Sequence, residues 1–301
     1  MRFNPKARLD RGRVGDAGRG RGGGGGGSRI PAGLPVGGGI GGVLVLVVVF
    51  VALQVLGGGG DGGGAGDSAV DGNERYAACE FGSDANENAD CVRVAVENSL
   101  HDYWSGELGA EYRPIDRLVT FSDSVQTGCG TASSAVGPFY CPGDQRIYLD
   151  TSFFDEVLER QLGGPDGGFV EAYVLAHEYG HHVQNVLGTM GEVRTQQGAQ
   201  SDAVRLELQA DCYAGMWTRA ATTTRDADGQ TLVSELTQQD IDLALAAATA
   251  IGDDRIQERT QGQVTEETWT HGSAKSRSRW FRTGLEEGTL VACDTFSAPR
   301  V

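Results

Sequence analysis

Positive charge is scarce in this chain of 301 residues: 25 Lys and Arg stand against 41 Asp and Glu, a formal net charge of −16. So acidic a protein repels a phosphate backbone, and nucleic acid is excluded as an expected partner. Cysteines at metal-binding spacing are missing too. None of Cys79, Cys91, Cys129, Cys141, Cys212 and Cys293 forms a C-x-x-C, which excludes a cysteine-ligated zinc module. No internal repeat is evident, so a stacked-repeat architecture is excluded. Apolar side chains are few in residues 1–35, which are rich in Gly and Arg and include the run Gly22 to Gly27. Too little burial is on offer there to offset the entropy of ordering, and the composition predicts a disordered cytoplasmic tail.

The next stretch of chain lacks charge altogether. Residues 36–56 include IGGVLVLVVVFVALQVL, long enough at 1.5 Å per residue to be a transmembrane helix. The tail before it is too long for a secretory signal and no A-x-A-like site comes after it, so an uncleaved anchor is expected. Arg2, Lys6, Arg8, Arg11, Arg13, Arg19, Arg21 and Arg29 precede the run, against Asp10 and Asp16. The positive side stays inside, which predicts a single-pass protein of the cytoplasmic membrane with its N-terminus inside and its main domain extracytoplasmic. The pairs Gly37/Gly41 and Gly38/Gly42 fit a helix–helix contact, and with it a homodimer through the anchor.

Residues 57–74 have the Gly/Asp-rich composition of a linker, leaving 75–301 as the folded domain. All six cysteines lie in that domain. Their even number suits disulfides in an oxidising compartment; sequence does not fix the connectivity, and Cys79–Cys91, Cys129–Cys141 and Cys212–Cys293 are the pairs expected. Apolar spacing predicts helices over about 91–108, 151–162, 169–187, 202–221 and 238–251, the last behind the N-cap candidate Thr237. LVTFSDSV and QRIYLD read as strands. The fold class is α+β, mainly helical with a small sheet.

Chemistry concentrates in His177-Glu178-Tyr179-Gly180-His181, an HExxH motif within an otherwise apolar helix. Residues i and i+4 share a helix face, so both imidazoles can reach one ion, while Glu178 stands beside them as a general base. The motif alone also arises by chance on solvated helices, but burying His and Glu among Val174, Leu175, Ala176 and Val183 would be costly without a metal. RLELQADCYAGMW offers Glu207 as a third ligand and, one turn on, Asp211 to fix a ligand histidine's tautomer. Two His and one Glu is the pattern of a gluzincin, with one Zn2+ and a fourth position open to water. The competing class is a zinc-bound but catalytically silent binding or scaffold protein; retention of Glu178 favours the enzyme.

These residues resemble the bacterial neutral zinc metallopeptidases of the YpfJ-like kind, single-pass membrane proteins. The resemblance rests on TGCG near Cys129, GPFYCPGDQRIYLD, AHEYGHHVQ, RLELQADCYAGMW, AIGDDR, THG, RWF and CDTF, in order over most of the chain. It implies a zincin-like domain with zinc on His177, His181 and Glu207, Glu178 as the catalytic residue, and a peptide or protein substrate that the family does not name. A more distant likeness to prenyl-protein and HtpX-type zinc peptidases implies a substrate-binding strand at Arg146, Ile147 and Tyr148, extended by β-augmentation. The same likeness makes His271 a candidate to hold the oxyanion.

Overall fold

A computed structural model describes residues 1–19, 74–165 and 167–301. Eight short strands occur among these residues: β1 (Arg2–Phe3), β2 (Val14–Arg19), β3 (Arg117–Ser122), β4 (Ser124–Thr127), β5 (Gly130–Ser133), β6 (Phe139–Cys141), β7 (Arg146–Asp150) and β8 (Val233–Glu235). The principal helices are α1 (Ala89–Leu108), α2 (Gly168–Leu187), α3 (Asp202–Ala220), α4 (Gln238–Ala250), α5 (Asp253–Gln261) and α6 (Ala274–Glu287). Phe154–Gln161 is a π-helical segment between β7 and α2. The expected α+β class, mainly helical with a small sheet, is what forms.

Local chemistry explains where the helices begin. Asn88, Ser201 and Ser273 each accept a hydrogen bond from an orphan N–H of α1, α3 or α6. Thr237 and Asp240 form the reciprocal capping box of α4. The main sheet has the order β2-β3-β7-β6, parallel from β2 to β7, with β6 antiparallel at one edge. Parallel strands need both faces covered. Leu118, Ile147 and Leu149 accordingly join the core built by the helices, while Val119, Phe121, Tyr148 and Phe139 pack beneath the β4–β5 hairpin.

Residues 1–19 correct the expected disordered tail. β2 runs parallel to β3 with Val14 opposite Leu118 and Gly15 opposite Val119, and both Ala7 and Val14 are fully buried. Asn98 brackets the backbone of Asp10, accepting its N–H at 2.6 Å and donating to its carbonyl at 3.0 Å. Asn86 does the same for Phe3 at 2.9 and 3.0 Å. Arg13 donates from Nε to both oxygens of the buried Glu97 carboxylate at 2.8 and 2.9 Å. Composition misleads because the few apolar residues of this segment, Phe3, Ala7, Leu9 and Val14, are buried in a core built elsewhere in the chain, and backbone pairing and the Arg13–Glu97 pair add to their burial.

β2 and β3 share a sheet, so residues 1–19 are part of the same folded body as the strands and helices after residue 74. The expected span at 36–56 and linker residues 57–73 fall outside the described residues. Among the described residues, no helix is long and apolar enough to cross a membrane.

The three disulfides are Cys79–Cys91, Cys129–Cys141 and Cys212–Cys293, the pairs expected. The last ties α3 to the C-terminal segment. α3 packs closely on α6, where Gly284 sits so near the Cys212 carbonyl that a Cβ would fall 1.9 Å from its oxygen. That close approach carries α6 side chains into the middle of the molecule.

Candidate metal centre

α2 crosses the core with His177, Glu178 and His181 on its cleft-facing side, each less than a tenth exposed. α3 lies against it, because Gly180 admits Ala210 where a Cβ would meet the Ala210 Cα at 3.0 Å. This contact brings Glu207 to the two histidines. His177 Nε2 is 3.2 Å from Glu207 Oε2, and His181 Nε2 is 3.5 Å from Glu207 Oε1. Ligand atoms of all three residues lie within 4.8 Å of one another. A tetrahedral ion with bonds near 2.1 Å would place its ligands roughly 3.4 Å apart, so the spacing and donor set fit Zn2+.

The far nitrogen of each histidine is occupied, which turns Nε2 towards the metal position. His177 Nδ1 pairs with Asp211 Oδ1 at 2.9 Å, as the helical spacing of Glu207 and Asp211 predicts. His181 Nδ1 faces Gln184 Oε1 at 2.9 Å, and Gln184 is itself held through its amide by the Leu206 carbonyl and Gln209. Asp211 is fully buried. It also accepts from the Tyr173 hydroxyl at 2.6 Å and from Arg277, Nε to Oδ2 at 2.8 Å and Nη2 to Oδ1 at 3.0 Å.

Tyr173 could have been found from its place one turn before His177. Gln184 comes three residues after His181 on the same face. Arg277 could not: it sits on α6, which apolar spacing does not mark, and only the α3–α6 crossing takes it to Asp211.

Charge at the site is organised for a cation. Burial alone would raise the Glu207 carboxylate, but His181, His271 and His177 outweigh it and hold it well below the ordinary range. Asp211, likewise buried, is held down to about 2 by Arg277 and His177. Burial works against a charged His177, yet Asp211 and Glu207 lift it to about 10, so these carboxylates demand positive charge where a metal would sit. His181 goes the other way, to about 4, chiefly through burial, and remains a neutral donor. Glu178 is pushed up to about 7 by burial, despite His177 and an accepted hydrogen bond from the Tyr140 backbone N–H.

His271 also lines the cleft. Its loop is fixed by Asp253 at the start of α5, whose Oδ2 accepts the N–H groups of Thr270, His271 and Gly272 at 2.7, 2.7 and 2.9 Å. Burial opposes charge on His271, but Glu207 and Asp253 raise its pKa. His182 points away from the metal position, between the Tyr140 hydroxyl and the Arg113 carbonyl.

The expected substrate strand is corrected. β7 is paired on both sides, with β3 and with β6, and has no free edge to extend. Arg146 is bound to Asp116, Ile147 is buried, and Tyr148 donates to Asp144. The strand beside the site is β6, which the Gly- and Pro-rich sequence around it concealed.

The sequence profile of the family described as "Putative neutral zinc metallopeptidase" matches residues 4–296. The chain belongs to that family. Relatives include "Uncharacterized protein Rv2575" of Mycobacterium tuberculosis and "Uncharacterized protein Mb2605" of Mycobacterium bovis, each 53% identical over 224 residues, 73% of this chain and 75% of theirs. "Uncharacterized protein YpfJ" of Escherichia coli K12 is 39% identical over 209 residues, 66% of this chain and 68% of its own. No solved structure gives a significant match. The profile begins at residue 4, so the family includes the N-terminal segment that the fold incorporates.

Proposed function

We propose that this neutral zinc metallopeptidase hydrolyses peptide bonds at one Zn2+ held by His177, His181 and Glu207 in a gluzincin-type site. The observation that carries the reading is Glu178: a buried carboxyl beside the metal position and outside the ligand set. When bound, the ion supplies Lewis acidity and makes a water molecule acidic near neutral pH. Glu178 would accept a proton from the attacking water and deliver it to the departing amine. His271, with its Asp253-tied loop, is placed to donate to the developing oxyanion. Asp211 and Gln184 keep the two imidazoles aimed throughout.

Three disulfides favour an oxidising compartment for the folded body, and the uncharged run at 36–56 favours membrane association from that side. The test of the reaction is zinc-loaded protein against a peptide library, beside chelated protein and Glu178→Gln. Cleavage confined to the zinc-loaded wild type is expected. Cleavage that survives Glu178→Gln rejects this mechanism, and silence of all three with zinc bound rejects peptidase activity.

A further inference from the structure

The metal centre opens into a cleft whose walls away from the ligands are apolar. Pro138 and Phe139 come from the β6 rim, Val174 from α2 one turn before His177, Met190 from the turn after α2, and Ile251 from the end of α4. Phe153 closes the rim, its ring lying against Gly137 so tightly that a Cβ there would stand 3.0 Å away. The apolar wall is continuous with the chemistry, since the Ile251 carbonyl accepts from the same Arg277 that holds Asp211.

The ionic groups lining this cleft belong to the metal centre and the residues that hold it. Arg277 is spent on Asp211, Glu207 on His177 and His181, His271 on Thr270 and Asp253, and Glu178 on the Tyr140 backbone. A charged substrate side chain laid against the apolar wall would lose its water without gaining a partner there, whereas each buried methylene is favourable.

Resting on the peptidase reading above, we infer that the cleft is a side-chain subsite for a bulky apolar residue, of the Leu, Met or Phe class, flanking the scissile bond. The enzyme therefore selects apolar stretches of peptide, despite an acidic composition that would suggest basic substrates. Val174 and Ile251 set this specificity, and residues with charged side chains are rejected at the position they enclose.

Two measurements test this on the full chain loaded with zinc. In the first, quenched fluorescent peptides differing at one residue (Leu, Phe, Ala, Asp or Lys) are compared by kcat/KM, with cuts located by mass spectrometry and Glu178→Gln as the blank. Leu and Phe should exceed Ala by roughly 10- to 100-fold, with Asp and Lys below Ala. Ile251→Asp should move the preference towards Lys; an unmoved profile in a variant that keeps its zinc would remove Ile251 from the subsite. In the second, hydroxamates bearing Leu-, Ala-, Asp- and Lys-type side chains are titrated calorimetrically, a ranking that needs no turnover. Equal affinities across that series, or Glu178-dependent cuts beside charged residues at equal rates, would overturn the subsite. If no peptide is cut while the Leu hydroxamate binds tightest, the subsite stands and the peptidase reading alone fails.

Discussion

Replacing Arg277 by methionine keeps much of the aliphatic volume and deletes the charge that neutralises Asp211. Both side chains are buried, with relative exposures of 2% and 0%, and Arg277 supplies two of the four donors around that carboxylate. Breaking one side of a buried pair costs about 3–5 kcal/mol. In a domain of this size each kcal/mol shifts the melting point by about 2–4 °C, so the metal-free variant should melt about 6–20 °C lower. Asp211→Asn with Arg277→Met removes both charges and should recover much of the loss.

Zinc affinity should fall by about 10- to 100-fold in Arg277→Met, because Asp211 then aims His177 less firmly. A pH series separates the causes. In the wild type Asp211 is depressed to about 2 from an ordinary value of 3.8. Its stabilisation is therefore present above about pH 4 and lost as pH falls towards 2, and that acid limb should flatten in the variant. Thermal melts of chelated protein and calorimetric zinc titration make both measurements. A stability loss below about 1 kcal/mol with unchanged zinc affinity would refute the role given to Arg277.

Glu97 has its folded pKa raised to about 7 by burial, so the folded state favours the proton and stability should decline as pH rises from about 4.5 to 7; Glu97→Gln should abolish that slope in a pH series of melts. Replacing Cys212 and Cys293 by serine opens a bridge spanning 81 residues, and by loop-closure entropy should cost about 4.5 kcal/mol, read by denaturant titration. Chelation should lower the melting point and zinc should restore it, because only the folded site binds the ion; a melting point indifferent to zinc would contradict the ligand set. Arg19→Cys with Ser122→Cys should cross-link in intact cells, since those residues are register partners of β2 and β3. Failure to cross-link, with the two positions labelled from opposite sides of the membrane, would show that residues 1–19 do not join the sheet.

Local sequence carried much of the site. HExxH needs only helical periodicity to put His177, Glu178 and His181 on one face, and the spacing of Glu207 and Asp211 places both on one side of the next long helix. Caps such as Thr237 were readable for the same reason, because a turn of helix involves only neighbours in sequence. Even the disulfide pairs agreed with expectation, although nothing local determines them.

What only the tertiary structure decided depends on contacts between distant parts of the chain. Strand pairing is such a contact: β7 reads as a plausible edge, but β6 covers it, and its role in substrate binding disappears with the free edge. The N-terminal segment is another, since its order comes from Asn86, Asn98, Glu97 and a core elsewhere in the chain that buries its few apolar residues. Arg277 is a third, one of four basic residues on a polar helix until Gly284 lets that helix meet α3. Sequence periodicity determined which residues share a face; the packing of those faces determined which charges meet, and so what the metal centre requires around it.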